Sequence, residues 1–160
     1  MVILGVDPGL RFTGFGFITA EGERLKLIKA GVIKTTSKQK IQERLQKIHL
    51  ALDQLIEEFK PDAIVVEKIY SHYRHPITAY HLGQARGVVC LLCEEKNVPL
   101  VEYLPTRVKK AVSGRGHASK YQMQKMVKML LRVNNLEDKF DITDALSLAI
   151  AHSFIMRAKV

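Results

Sequence analysis

Three stretches of the chain deliver acidic side chains to places where phosphate-transfer chemistry would use them. Val2-Ile3-Leu4-Gly5-Val6 is a short apolar run that ends in Asp7, and Ala63-Ile64-Val65-Val66 is a second that ends in Glu67. Asp141 and Asp144 open a C-terminal helical pattern three residues apart, which puts both on one helix face. If the two runs lie side by side in a sheet and the helix packs across their ends, four carboxylates converge. Such a cluster repels itself unless divalent cations neutralise it, and Mg²⁺ takes oxygen ligands. Phosphodiester hydrolysis assisted by two cations about 3.5–4 Å apart is the chemistry that calls for this set.

Each acid also has an ordinary explanation. Asp7 could close an Asx-turn after its strand, and Asp141 could serve the dipole of the helix it opens. Glu67 resists such an explanation, because Glu suits strands poorly and this one extends a buried run. Lys68 points to the opposite face of a strand and is badly placed to neutralise it. Asp144 borders an apolar stripe formed by Ala145, Leu148, Ala151 and Ile155. The set carries more weight than any member.

The elements that must position these residues are legible from periodicity. Residues 2–7 read as a buried strand, followed by the turn Asp7-Pro8-Gly9, and residues 12–19 as a second strand. Glu21-Gly22-Glu23 predicts a hairpin into a third strand over 25–34. Residues 38–59 carry apolar side chains at helical spacing, with Thr36 or Ser37 as the expected N-cap. A strand over 62–67 follows, then a surface loop over 68–76 (KIYSHYRHP), polar, aromatic and basic at once. Residues 77–95 predict a helix apolar around most of its circumference, central to the fold or to a dimer. A strand over 98–103, a short helix from Pro105 to about Val112, a helix N-capped by Ser119 and running to about Arg132, and a last helix from Asp141 or Ile142 to about Arg157 complete the order. A hairpin start followed by α/β alternation predicts one mixed five-stranded sheet with helices on both faces, in a single domain over 1–160.

Composition narrows the partner. Apolar residues make up 47% of the 160, enough for a core. The start MVILGVDPG lacks the features of a secretory signal, and no apolar run approaches the roughly 18 residues that span a bilayer, so a soluble, cytoplasmic protein is expected. Cys90 and Cys93 sit within an apolar helical run and read as buried, reduced thiols. The formal net charge is +9, which favours a polyanionic partner. From Arg107 to Arg132 the chain carries Lys109, Lys110, Arg115, Lys120, Lys125 and Lys128 as well, and no acid. That block is the expected nucleic-acid contact.

The segments GVDPGLRFTGFG, VVEKIY, LGQARGVV, VKKAVSGRGHASKYQ and DITDALSLAIAH resemble the signature blocks of the RuvC-type Holliday junction resolvases, in order and over nearly the whole chain. The resemblance implies a ribonuclease H-like fold and a homodimer. It implies Mg²⁺, two ions per site with Mn²⁺ able to substitute, and paired nicks across a four-way DNA junction that leave 5′-phosphate and 3′-hydroxyl ends. It places the family's four acidic ligands on Asp7, Glu67, Asp141 and Asp144, the same four residues, and its two basic DNA contacts on Lys109 and Lys120. The family's junction-centre aromatic falls on Tyr70, where Phe is usual. The loop after it is one residue longer than the common pattern, so Tyr73 or Arg74 could share the wedging role. Lys110 and Arg115 join the expected DNA-binding set, and a branch-migration helicase complex joins the expected partners. His117 is expected at the DNA backbone. His152 is expected to complement the dipole at its helix C-terminus, with a role at a metal-bound water or a phosphate as the alternative.

Two other functions fit parts of the pattern. A D-x-G start also occurs in actin-like ATPases and sugar kinases, which need a second domain and a second phosphate loop that 160 residues cannot supply. A nuclease of the same fold acting on RNA or on unbranched DNA would share the acids and the charge. A purely structural DNA-binding role leaves four converging acids without a reason.

Overall fold

The computed structural model describes residues 1–68 and 76–158. Five strands, β1 (Val2–Asp7), β2 (Phe12–Glu21), β3 (Arg24–Lys34), β4 (Ala63–Glu67) and β5 (Leu100–Tyr103), form one sheet in the order β3-β2-β1-β4-β5. β1, β4 and β5 are parallel, while β1-β2 and β2-β3 are antiparallel. Five helices, α1 (Ile41–Phe59), α2 (Pro76–Glu95), α3 (Pro105–Ser113), α4 (Lys120–Leu131) and α5 (Phe140–Arg157), complete the predicted order. The mixed sheet covered on both faces is the expected architecture.

Alternation along the strands separates two cores. Leu4, Val6, Phe15, Phe17, Ile64 and Val66 face one side and pack against Ile48, Leu52 and Ile56 of α1 and Ala85, Val89 and Leu92 of α2. Ile3, Ile18 and Val65 face the other and meet Val108 and Val112 of α3, Met123, Val127 and Leu131 of α4, and α5. Both faces of the central strands are covered, which is why β1 and β4 read as continuous apolar runs. On the same parity rule Asp7 and Glu67 emerge on the α5 face, at the C-terminal ends of neighbouring parallel strands.

α5 lies unusually close to the sheet. A Cβ on Gly5 would stand 1.9 Å from the Ala145 carbonyl oxygen, and one on Gly14 2.0 Å from that of Asp141. Only glycine allows this approach. Apart from Asp144, which faces the cleft, every residue of the helix from 142 to 153 is buried, so the single stripe seen in the sequence understates its burial.

Several local expectations are corrected. Neither Thr36 nor Ser37 caps α1; Lys40 holds that position, and its N–H donates to the Glu43 carboxylate at 2.9 Å. Thr36 serves the turn before it, its N–H donating to Gln39 Oε1 at 2.9 Å. Cys93 is buried, with its thiol pushed up to about 11 by burial first and then by Cys90, but Cys90, one turn earlier in α2, is partly exposed. Lys128 is paired with Asp138 at 2.6 Å, because the chain after α4 folds an acid back onto the basic block. Ser119 does cap α4: its Oγ accepts from the Gln122 N–H at 3.2 Å, and Gln122 Oε1 accepts from the Ser119 N–H at 2.8 Å.

Candidate active site

Asp7 leaves β1 opposite Gly14 of β2, and Asp141 sits directly above Gly14. The 1.5 Å rise per helical residue then carries Asp144 away from β2, towards β4 and Glu67. The turn after Asp7 is held from three sides. Thr13 Oγ1 donates to the Gly9 carbonyl at 2.7 Å, Thr35 Oγ1 donates to the Leu10 carbonyl, and the Thr35 N–H donates to the Arg11 carbonyl at 3.1 Å. Gly9 serves here by its size and not by an unusual φ, since a Cβ would meet the Phe12 carbonyl oxygen at 2.3 Å. At the end of β4, Arg86 Nη1 donates to the Glu67 carbonyl at 2.9 Å while its other nitrogen pairs with Glu102 of β5.

The four acids lie close enough for Asp7 to feel the other three. Burial raises the Asp7 carboxyl from 3.8 to about 7, helped by repulsion from Asp144, Asp141 and Glu67 and opposed by Lys120. Burial also raises Glu67, with Asp144 adding to the rise and Lys109 and Lys120 opposing it. Asp144 is raised by burial too, while Lys120 and Lys109 pull it back. Lys120 Nζ lies 4.0 Å from Asp144 Oδ2. The two lysines thus stand near acids on neighbouring elements, Lys120 from a largely exposed position.

Two cavities meet at Glu67. One, about 230 Å³, is lined by Glu67, Lys109, Lys120, Met123, Asp144 and Ser147. The other, about 280 Å³, is lined by Asp7, Pro8, Glu67, Lys68, Leu82 and Arg86. Asp141 lines neither and stands on the far side of Asp7. Among the described residues, no three acid, His or Cys side chains already surround a point at metal-ligating distance. The donor set is all oxygen and partly solvated, which suits a hard cation that keeps some of its waters.

The remaining expected residues fall as follows. Lys110 and Arg115 are exposed, at the end of α3 and in the turn after its Gly114 cap. His117 is exposed in the same turn. Tyr70, Tyr73 and Arg74 lie outside the described residues. His152 is buried at 4% exposure and does not stand at the open helix end, and its Nδ1 lies 2.8 Å from the Tyr103 hydroxyl. Sequence reasoning did not single out Arg86 or Ser147. Arg86 carried a signal, as the one cation in the apolar stretch of α2. Ser147 carried another, as a hydroxyl inside an apolar helix, and its buried Oγ has no hydrogen-bond partner among the described residues.

Comparison with known proteins agrees with this geometry. The sequence profile of the family described as crossover junction endodeoxyribonuclease RuvC matches residues 3–152. The chain belongs to the RuvC family. It is 41% identical over 153 residues to the crossover junction endodeoxyribonuclease RuvC of Rhodopirellula baltica, covering 96% of this chain and 86% of that one. It is 42% identical over 158 residues to that of Thermomicrobium roseum, covering 99% and 96%. Thermus thermophilus RuvC, solved in complex with a Holliday junction substrate, superposes with a TM-score of 0.93 at 32% identity, covering 99% of this chain and 96% of that one. The RuvC family is one of divalent-metal nucleases, in keeping with the oxygen-only donor set.

Proposed function

We propose that this chain, as one nuclease domain over residues 1–160, cuts four-way DNA junctions with paired, symmetric nicks, acting as a homodimer. The observation that carries the reading is the electrostatic coupling of Asp7 to Asp141, Asp144 and Glu67 beneath two lysines. Asp7, Glu67, Asp141 and Asp144 would hold Mg²⁺, two ions per site, with Mn²⁺ as a substitute. Such ions, when bound, lower the pKa of a coordinated water and stabilise the leaving oxygen, giving 5′-phosphate and 3′-hydroxyl ends.

The chain's own residues supply placement and charge. Lys109 and Lys120 oppose the upward shift that burial imposes on Glu67 and Asp144. Their ammonium groups also suit a phosphate arriving over the cleft, with Lys110 and Arg115 extending the contact along the backbone. Arg86 fixes the end of β4, and with it the direction of Glu67. Tyr70, with Tyr73 or Arg74 sharing the role, would enter the unstacked junction centre.

The second copy has a candidate seat. Ile77, Tyr80 and Leu91 of α2 are 71%, 64% and 53% exposed. With Gln84 and Gly87 they recur at steps of three and four, forming one outward stripe. Two such stripes packed together would set two clefts against one junction. No helix among the described residues is long and apolar enough to cross a membrane. A cytoplasmic enzyme working with a branch-migration helicase complex is the setting this reading implies.

The test is cleavage of labelled four-way junctions in Mg²⁺, beside linear duplex, Y-fork and RNA–DNA hybrid of matching sequence. Paired nicks confined to the four-way junction are expected. Cutting of the hybrid or the linear duplex instead would refute the junction assignment.

A further inference from the structure

The flank of the site beyond Asp141 carries aromatic rings that neither the core nor the cleft uses. Phe140 immediately precedes Asp141, and the Tyr121 ring meets it edge-on, centroids 5.4 Å apart with an 80° interplanar angle. Tyr121 is 74% exposed. It has no packing duty in α4, whose buried stripe is Met123, Val127 and Leu131 and whose N-terminus is closed by Ser119 and Gln122. Lys120 Nζ lies 5.4 Å from the Phe140 ring centroid as well as 4.0 Å from Asp144.

A third ring continues the rim. Strand alternation puts Phe12 on the same face as Gly14, one step beyond the point where Asp141 rests on the sheet. Phe12 is 39% exposed, the Arg11 guanidinium carbon sits 5.4 Å from its centroid, and Lys34 is its register partner on β3. Exposed apolar side chains scattered singly are ordinary. Three rings interleaved with cations, beside a phosphate-cutting site, are the composition of a single-strand stacking surface.

We propose that Tyr121, braced edge-on by Phe140, is a stacking platform for one unstacked base of the cleaved strand, on the α4 side of the scissile phosphate. A paired base inside a duplex offers no open face, so the occupant is a nucleotide already out of the stack. Lys120 holds the neighbouring phosphate, and Arg11 and Lys34 continue the cationic rim past Phe12. This inference rests on the junction-nuclease reading. It adds an aromatic contact on α4, beside Lys120.

The experiment places 2-aminopurine, and separately an abasic nucleotide, at each position flanking the scissile phosphate of a four-way junction. Binding is followed in EDTA and single-turnover cleavage in Mg²⁺. Wild type and Tyr121→Phe should change the 2-aminopurine signal at one position, and Tyr121→Ala should not. Tyr121→Ala should weaken binding or slow cleavage about 5- to 150-fold with Tm unchanged. An abasic nucleotide at that same position should abolish the further loss from Tyr121→Ala. The proposal is overturned if Tyr121→Ala and the abasic substitutions act independently at every position, or if Tyr121→Phe is as damaging as Tyr121→Ala. Failure of the wild type to cut the junction would instead refute the parent reading.

Discussion

Asp7→Asn should stabilise the metal-free protein at alkaline pH while abolishing cleavage. Burial first, and then three neighbouring acids, raise the Asp7 carboxyl from 3.8 to about 7. The folded state therefore binds this proton more tightly than the unfolded chain does. The resulting stabilisation is complete below about pH 4 and is lost as pH rises through about 7. At about 1.4 kcal/mol for each tenfold change in proton affinity, the full loss is about 4 kcal/mol. Asn has nearly the same shape and no charge to desolvate, so it escapes that loss. For a chain of this size the gain at pH 8 corresponds to roughly 8–16 °C in Tm, shrinking towards zero at pH 4. The assay is a pair of melts in EDTA, wild type against variant, at the two pH values. Mg²⁺ should narrow the difference at pH 8, because the cation supplies the compensation that Asn makes unnecessary. A gain equal at both pH values, or a variant less stable than wild type at pH 8, would refute the electrostatic account of the cluster. Retained cleavage by Asp7→Asn would remove Asp7 from the ligand set.

Four further outcomes follow from the geometry. Gly14→Ala forces a methyl against the Asp141 carbonyl, so α5 must lift; melts should show a loss of about 1–3 kcal/mol, and single-turnover cleavage should fall about 100-fold. Ser119→Ala removes the cap of α4 and should cost about 1 kcal/mol in denaturant unfolding, with Ser119→Asp restoring it. Lys120→Ala should weaken junction binding in the absence of metal, and the slope of log affinity against log salt should fall by about 1 if Lys120 touches one phosphate. Arg86→Lys keeps the charge but cannot reach both the Glu67 carbonyl and Glu102, so kcat should drop while junction affinity in EDTA is retained.

The sheet and the helices were legible because their signals are local. β1 and β4 are unbroken apolar runs, α1 has a clean stripe, and Ser119 followed three residues later by Gln122 is a capping signature. The acids were legible because a carboxylate ending a buried run is expensive unless something compensates it. What sequence did not disclose depends on contacts between distant segments. The cap of α1 moved to Lys40 because Thr36 is engaged with Gln39. His152 looked like a helix-end residue, yet Tyr103, 49 positions earlier in the chain, reaches it inside the core. Arg86 had an identifiable oddity but no partner until β4 and β5 were placed beside α2.

The way α5 is built explains why the acids can tolerate one another before any cation arrives. Asp141 lies in the first turn of α5, where the unpaired N–H groups and the helix dipole favour negative charge, and Asp144 follows one turn further on. From Ile142 to Ser153 every residue of the same helix but Asp144 is buried, and Gly5 and Gly14 let its backbone rest directly on β1 and β2. The position of Asp141 is therefore set by backbone contact with the sheet and not by a flexible side chain. Lys109 and Lys120 come from separate helices, α3 and α4, and offset the charge from the opposite side. A rigid acidic half and a separately mounted basic half allow a phosphate to enter between them without disturbing the acids' mutual placement. The same division predicts where variation is tolerated: changes on the exposed faces of α3 and α4 alter affinity, while changes beneath α5 alter the reaction itself.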